Sequence, residues 1–182
     1  PRDSEELHDL LLGTGIWRED ARWLPFFREP EATGRAFAFE QTLYRSQTPC
    51  GSQTRNRFWA AVERSGWVRA LHPTLTASQW IAPDEQAGVV PEEVIAEEEA
   101  IAHVLRGHLE TTGPITALAL AERISIRTGL VEIGLARLET EGLVLRGNFG
   151  AAGEVAAPEE FCARRLRARI NGVSRSRLRA SV

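Results

Sequence analysis

The sequence contains no lysine and no methionine. All 22 basic residues are therefore arginine, which excludes any chemistry that needs a lysine: the GxxxxGK[ST] phosphate loop, a Schiff-base amine or a lysine general base. These residues cannot form an ATPase motor. With Pro1 in place of an initiator, the chain is expected to be a piece of a longer protein. The only two cysteines, Cys50 and Cys162, are too few and too far apart for a disulfide framework or a zinc site, so reduced thiols are expected. No apolar run approaches the roughly eighteen residues of a membrane span, and no signal-peptide pattern opens the chain. A cytoplasmic location with no membrane partner is the resulting expectation. His8, His72, His103 and His108 show no metal-ligand spacing, and His8 beside Asp9 reads as a capping or surface histidine.

What is present is the composition of an ordinary globular chain, 182 residues with 43% apolar and 26% charged, enough for one domain or two small ones. The net charge of −3 is unevenly spread. Residues 1–160 hold 15 arginines against 25 carboxylates, a balance of −10, whereas residues 161–182 hold seven arginines and no acid, +7. Such asymmetry is the electrostatic footprint of a polyanion partner.

The stretch from Gly113 to Gly147 organises the rest. Gly113-Pro114 closes a preceding helix, and Thr116 can cap the next, with Leu118, Ala121 and Ile124 on one side. A second helix from about Thr128 carries Val131, Leu135 and Leu138 as one apolar stripe. Glu141-Gly142 supplies a left-handed stop before the strand Leu143-Val144-Leu145. Helix, turn, helix, then a strand entering a hairpin is the order of a winged helix.

Upstream, Asp3 and Glu6 resemble a capping box opening a helix with Leu7, Leu10 and Leu11 on its apolar face, ended by Gly13. A helical stretch from about Glu19 carries Trp23, Phe26 and Phe27, with Pro25 expected to kink or split it. Residues 35–40 and 42–45 alternate as two strands with one face on a core, wing or barrel strands, and 57–61 reads as another, with Trp59 buried. Residues 47–56 read as an exposed loop, and Ser65 to Leu71 as a short helix ended by Pro73. Residues 74–91 lack a period, and a boundary is expected there. A long helix from Glu92 to Thr112 follows, with Val94, Ile101, Val104, Leu105 and Leu109 as its stripe and acidic first turns that suit the helix dipole. Residues 148–157 read as the wing tip and its return. After Pro158 a last helix is expected through Phe161, Cys162, Leu166 and Ile170. The predicted fold is thus α+β, tandem winged-helix domains with a C-terminal Arg-rich helix: a winged-helix-like unit with strands over 1–82, a linker over 83–91, a winged helix over 92–157 and a basic helix over 158–182.

Four pieces carry a family likeness: Glu6-Leu-His-Asp-Leu-Leu-Leu12; Trp59 to Arg64 running on to Arg69-Ala-Leu-His-Pro73; Gly113-Pro-Ile-Thr116 with Leu138 to Gly147; and Glu160-Phe-Cys-Ala-Arg-Arg-Leu-Arg-Ala-Arg-Ile170. Together they resemble the region after the motor domains, often called DEAD/H-associated, of the large helicase-related (Lhr) family of bacterial superfamily-2 DNA helicases. Phe161, Ala163 and Asn171 depart from that family's usual Trp, Asp and His. The resemblance implies a parent that is an ATP-dependent, 3′-to-5′ translocating DNA helicase linked to DNA repair. Its upstream motor domains, with their ATP and magnesium, would lie outside this chain, which would need no cofactor of its own.

Candidate nucleic-acid contacts are Arg164, Arg165, Arg167, Arg169, Arg175 and Arg179, with Arg127 and Arg137 flanking the second helix of the organising stretch. Arg164 to Arg179 would meet phosphate of single-stranded or tailed duplex DNA; the alternative is ion pairing with the acidic body. Groove reading by the helix from Thr128 is disfavoured by Glu132 and Glu139. Trp17, Trp23, Trp59 and Trp67 read as core, Trp80 as exposed. Two rival classes stand beside DNA holding: a DNA glycosylase-like domain, for which no paired carboxylate signature stands out, and a structural or self-association module.

Overall fold

The computed structural model describes residues 1–44, 53–75, 80–81, 95–149 and 158–166. The fold is α+β, built from antiparallel sheets and short helices. Helix α1 (Ser4–Thr14) starts where the Asp3 side chain accepts the Glu6 N–H at 2.8 Å. Gly15, at φ 74°, ends it by donating its N–H to the Leu11 carbonyl. Gly13, expected as the stop, is instead inside the helix. After strand β1 (Trp17–Arg18) comes helix α2 (Leu24–Ala32). Pro25 neither kinks nor splits α2, because it lies in the first turn, where its missing N–H would have had no helical partner.

Strands β2 (Ala36–Tyr44) and β3 (Gln53–Ala61) form one long hairpin paired from Ala36–Ala61 to Tyr44–Gln53. The two short strands expected at 35–45 are therefore one, and 53–56, expected as loop, belongs to β3. Strand β4 (Trp80–Ile81) pairs with β2, giving the order β1-β3-β2-β4. Side-chain alternation buries both faces rather than the single one expected. Ala36, Ala38, Trp59 and Ala61 face α1 and α2, where the small alanines beside Trp59 leave room for it to stack on Phe27, ring centroids 4.3 Å apart. Phe37, Phe39, Phe58 and Ala60 form the other face, beneath helix α3 (Ser65–Leu71).

Helix α4 (Glu97–Thr112) begins after Ala96, which has extended backbone, so it starts five residues later than the sequence suggests; Val94 is outside the described residues. Its Ile101, Val104, Leu105 and Leu109 are fully buried. Strand β5 (Ile115–Thr116) leads into helix α5 (Ala117–Ile124), capped by the Thr116 hydroxyl, which accepts the Ala119 N–H at 3.1 Å. The buried stripe of α5 is Leu120, Ala121 and Ile124; Leu118 is 59% exposed, since its place in the first turn puts it at the edge of that stripe. Helix α6 (Thr128–Thr140) buries Val131, Leu135 and Leu138 as expected, and Gly142 at φ 71° provides the left-handed stop.

Strand β6 (Val144–Gly147) follows, and then a larger departure from expectation. Residues Glu160–Ala163 are not helical; they form strand β7, the centre of a sheet ordered β5-β7-β6. Ile115 pairs with Phe161, and Val144 with Ala163. Without β7 the short β5 and β6 would have no ladder partner, and this long-range pairing outweighs a local helical pattern. Helix begins only at Arg164 and is described to Leu166; residues 167–182, expected to continue it, are outside the described residues.

Helix α4 belongs to both sheets' surroundings, and one buried cluster runs from Ile16, Phe37 and Phe58 through α4 to Val144 and Phe161. Gly107 makes this possible: a Cβ there would lie 2.1 Å from the Gly13 carbonyl oxygen of α1. Next to it, fully buried His108 holds its Nε2 2.8 Å from the Ile16 carbonyl and stacks on Trp17. That contact requires a proton on Nε2, since a carbonyl oxygen only accepts, and burial keeps the ring neutral. Burial lowers His108 and His72 to about 4, and His103, beside Trp67, likewise to about 4. His8 is buried too, its ring 3.2 Å from Arg35, and is no surface group.

Gly107→Ala should cost about 3 kcal/mol or more in urea unfolding, because the obstruction is backbone and cannot rotate away. Gly129→Ala, on α6 with open space around it, should be neutral or stabilise by up to about 1 kcal/mol. The histidines give a pH dependence whose sign follows from their depressed folded values. Between pH 6.5 and about 4 the unfolded chain binds more protons, so stability is full above 6.5 and falls on acidification. Each of His72 and His108 should account for up to about 3 kcal/mol of that loss in denaturant titrations. His108→Gln, which can still donate to Ile16, should flatten the slope.

Candidate nucleic-acid interface

The turn after α6 sets the geometry. Gly142 donates its N–H to the Glu139 carbonyl and Leu143 donates to that of Leu138, both at 2.9 Å; Arg164 then donates its N–H to the Leu143 carbonyl at 3.0 Å. The end of β7 is thereby hitched to the end of α6. Arg164 and Arg165 leave the sheet beside the last turns of α4, where Arg106 and Glu110 are paired at 3.3 Å. Together they border a 110 Å³ cavity whose floor includes Leu109 and Val144. Three guanidinium groups face one carboxylate here. That carboxylate is already bound to Arg106, and among the described residues neither Arg164 nor Arg165 makes an ion pair. A planar guanidinium fork suits phosphate oxygens, and three of them at one cavity give a local positive field in a chain that is acidic overall. The Arg164 guanidinium also lies 3.9 Å from where a Cβ of Gly142 would be, over the negative end of the α6 dipole.

The remaining sequence candidates do not join this cluster. Arg127 caps the opposite end of α6 and pairs with Glu97 at 3.2 Å; Arg137 pairs with Glu141 at 3.0 Å. Ten residues of helix separate them, roughly 15 Å. Arg167, Arg169, Arg175 and Arg179 are outside the described residues. Arg106 was not legible as a site residue. It sits off the apolar stripe of α4 like any solvated cation, and only the β7 pairing brings Arg164 and Arg165 to it.

A scan against protein-family models and a search of curated proteins both find no match.

The outer face of α6 has the opposite character. Glu132 and Glu139 are exposed and line a 380 Å³ groove with Ala136, Leu118, Phe161 and the ion pair Arg146–Glu159. Carboxylates there repel a phosphate backbone, so α6 is poorly suited to lie in a DNA groove. Nor do Trp17, Trp59 and Trp67 offer free faces for bases. Trp59 is buried on Phe27, Trp17 has His108 stacked on it and Arg123 at 5.1 Å, and Trp67 contacts both Arg64 and His103. Trp80 is in β4 rather than in irregular chain. Among the described residues no group of three or more His, Cys, Asp or Glu side chains could hold a metal, and no helix is long and apolar enough to cross a membrane. Cys162 is buried; Cys50 is outside the described residues.

The ion pairs make the arginines unequal. Arg127→Ala and Arg137→Ala should each lower stability by less than about 1 kcal/mol in urea unfolding, since exposed ion pairs such as those with Glu97 and Glu141 contribute little.

Proposed function

We propose that this chain is a nucleic-acid-holding accessory region built of tandem winged-helix units, serving an ATP-dependent 3′-to-5′ DNA helicase active in DNA repair. The connectivity from α4 to β7, with strand order β5-β7-β6, supports the winged-helix reading of residues 92–163. Residues 1–82 would be a variant whose long hairpin and two covered faces extend the plan. In this reading ATP and magnesium belong to motor domains of the parent, consistent with a sequence that has no lysine for a phosphate loop. The partner is single-stranded or tailed duplex DNA.

The observation that carries the proposal is the placing of Arg164 and Arg165, which make no ion pair among the described residues, beside Arg106 at one cavity. Such contacts hold the phosphate backbone without reading bases, so binding is sequence-tolerant and falls steeply with salt. One observation favours a second reading, a structural brace: the Arg164 guanidinium over the Gly142 turn would stabilise α6 through its dipole.

The variant Arg164→Glu with Arg165→Glu separates the two. Phosphate contact predicts a loss of about tenfold or more in affinity for a tailed duplex at low salt, and a salt slope shallower by about 2. The melting temperature should move little. A lowered melting temperature with unchanged affinity and slope would establish the brace and remove these arginines from the DNA site.

A further inference from the structure

Leu118 at 59% and Ile133 at 56% are the exposed large apolar side chains among the described residues, and the first of them lines the α6 groove. Leu118 lines the groove from the first turn of α5. Ile133 is on the outer crest of α6, three residues before the groove-lining Ala136 and hence its neighbour on the helix surface. Leu118 therefore lines a concave strip, with Ile133 exposed on the adjoining surface of α6, and Ala136 on the strip is small enough for another backbone to come close. Solitary exposed leucines need no explanation; two beside one groove do.

The charges say what fits. The Glu159 carboxylate is satisfied by Arg146. Glu132 and Glu139 have no ion-pair partner among the described residues. They are seven residues apart, which places them on one stripe of α6 about 10.5 Å from each other along its axis. An amphipathic helix lying along this strip would meet them with basic side chains at positions i and i+7 of its own, while its apolar residues covered Leu118 and Ile133. Phosphate is excluded by the same two carboxylates.

We infer that the α5–α6 groove is a docking site for a basic amphipathic helix of a protein partner, with arginine or lysine spaced seven residues apart. This site is separate from the arginine cavity and does not depend on DNA binding there. It gives the face of α6 that would read bases in a standard winged helix a protein-binding role.

The test uses the full 182-residue chain. The probes are two synthetic amphipathic helical peptides, identical except for Arg or Glu at i and i+7. Titration followed by 15N–1H NMR should shift the amides of Leu118, Glu132, Ile133, Ala136 and Glu139 with the Arg peptide only. Leu118→Ser with Ile133→Ser should weaken it about tenfold, as should Glu132→Arg with Glu139→Arg. The second variant should also now prefer the Glu peptide. All four positions are exposed, so the melting temperatures should be preserved. No binding by the Arg peptide, equal binding by both peptides, or a charge reversal that fails to exchange the preference would overturn the site. So would a tailed DNA duplex that shifts the same amides.

Discussion

The structure depends on one backbone contact. At Gly107 helix α4 comes so near the end of α1 that no side chain fits between them, and the carbonyl of Gly13 occupies the space a Cβ would need. A close crossing of this kind fixes both the distance and the rotation of α4, because neither helix can slide without backbone meeting backbone. Everything polar at the junction then follows. His108, one residue on, is carried into the interior, where only a neutral ring donating to Ile16 is tolerable. On the other side of α4, Gly134 brings α6 against Leu105 and Ile101. The two glycines, one on α4 and one on α6, let a single helix serve two sheets.

That shared helix explains the continuous core. Small domains bury too little surface to be stable by themselves with ease, and a helix contributing apolar residues to both neighbours enlarges the core of each. Its buried side chains are aliphatic where it meets α6, whereas toward the first sheet it also presents His103 and His108 to tryptophan rings. An aromatic junction with neutral histidines is tight at neutral pH and becomes costly once those rings must take up protons.

Much of this was legible in the sequence wherever the pattern was local. The Asp3 cap, the helix Ser65–Leu71, the Thr116 cap and the Gly142 stop each follow from a few neighbouring residues whose backbone demands are narrow. What failed was non-local. Residues 160–163 carry residues acceptable to a helix, yet become a strand because β5 and β6 each need a partner there. Pro25 was misread for a different reason: its effect depends on which turn of a helix it occupies, and the start of α2 lacks a side-chain cap to mark it. The site was legible in part. Arg164 and Arg165 stood out by charge, but Arg106 became their neighbour only through the strand, and the commitment of Arg127 and Arg137 to nearby carboxylates depends on rotamers that spacing alone does not fix.

The same misread strand determines how charge is divided over the surface around α6 and the second sheet. As the centre of its sheet, β7 has one end at the acidic groove, through Phe161 and the neighbouring Glu159, and the other at the arginine cavity, through Ala163 and Arg164. Four strand residues span about 13 Å, longer than the roughly 8 Å screening length of physiological salt. The two fields therefore remain distinguishable although they share one strand. Had these residues been helical, Arg164 would not have been bonded to Leu143, and no sheet would have held the basic and acidic regions at opposite ends. Strand pairing, rather than net charge, gives this acidic chain a defined basic surface.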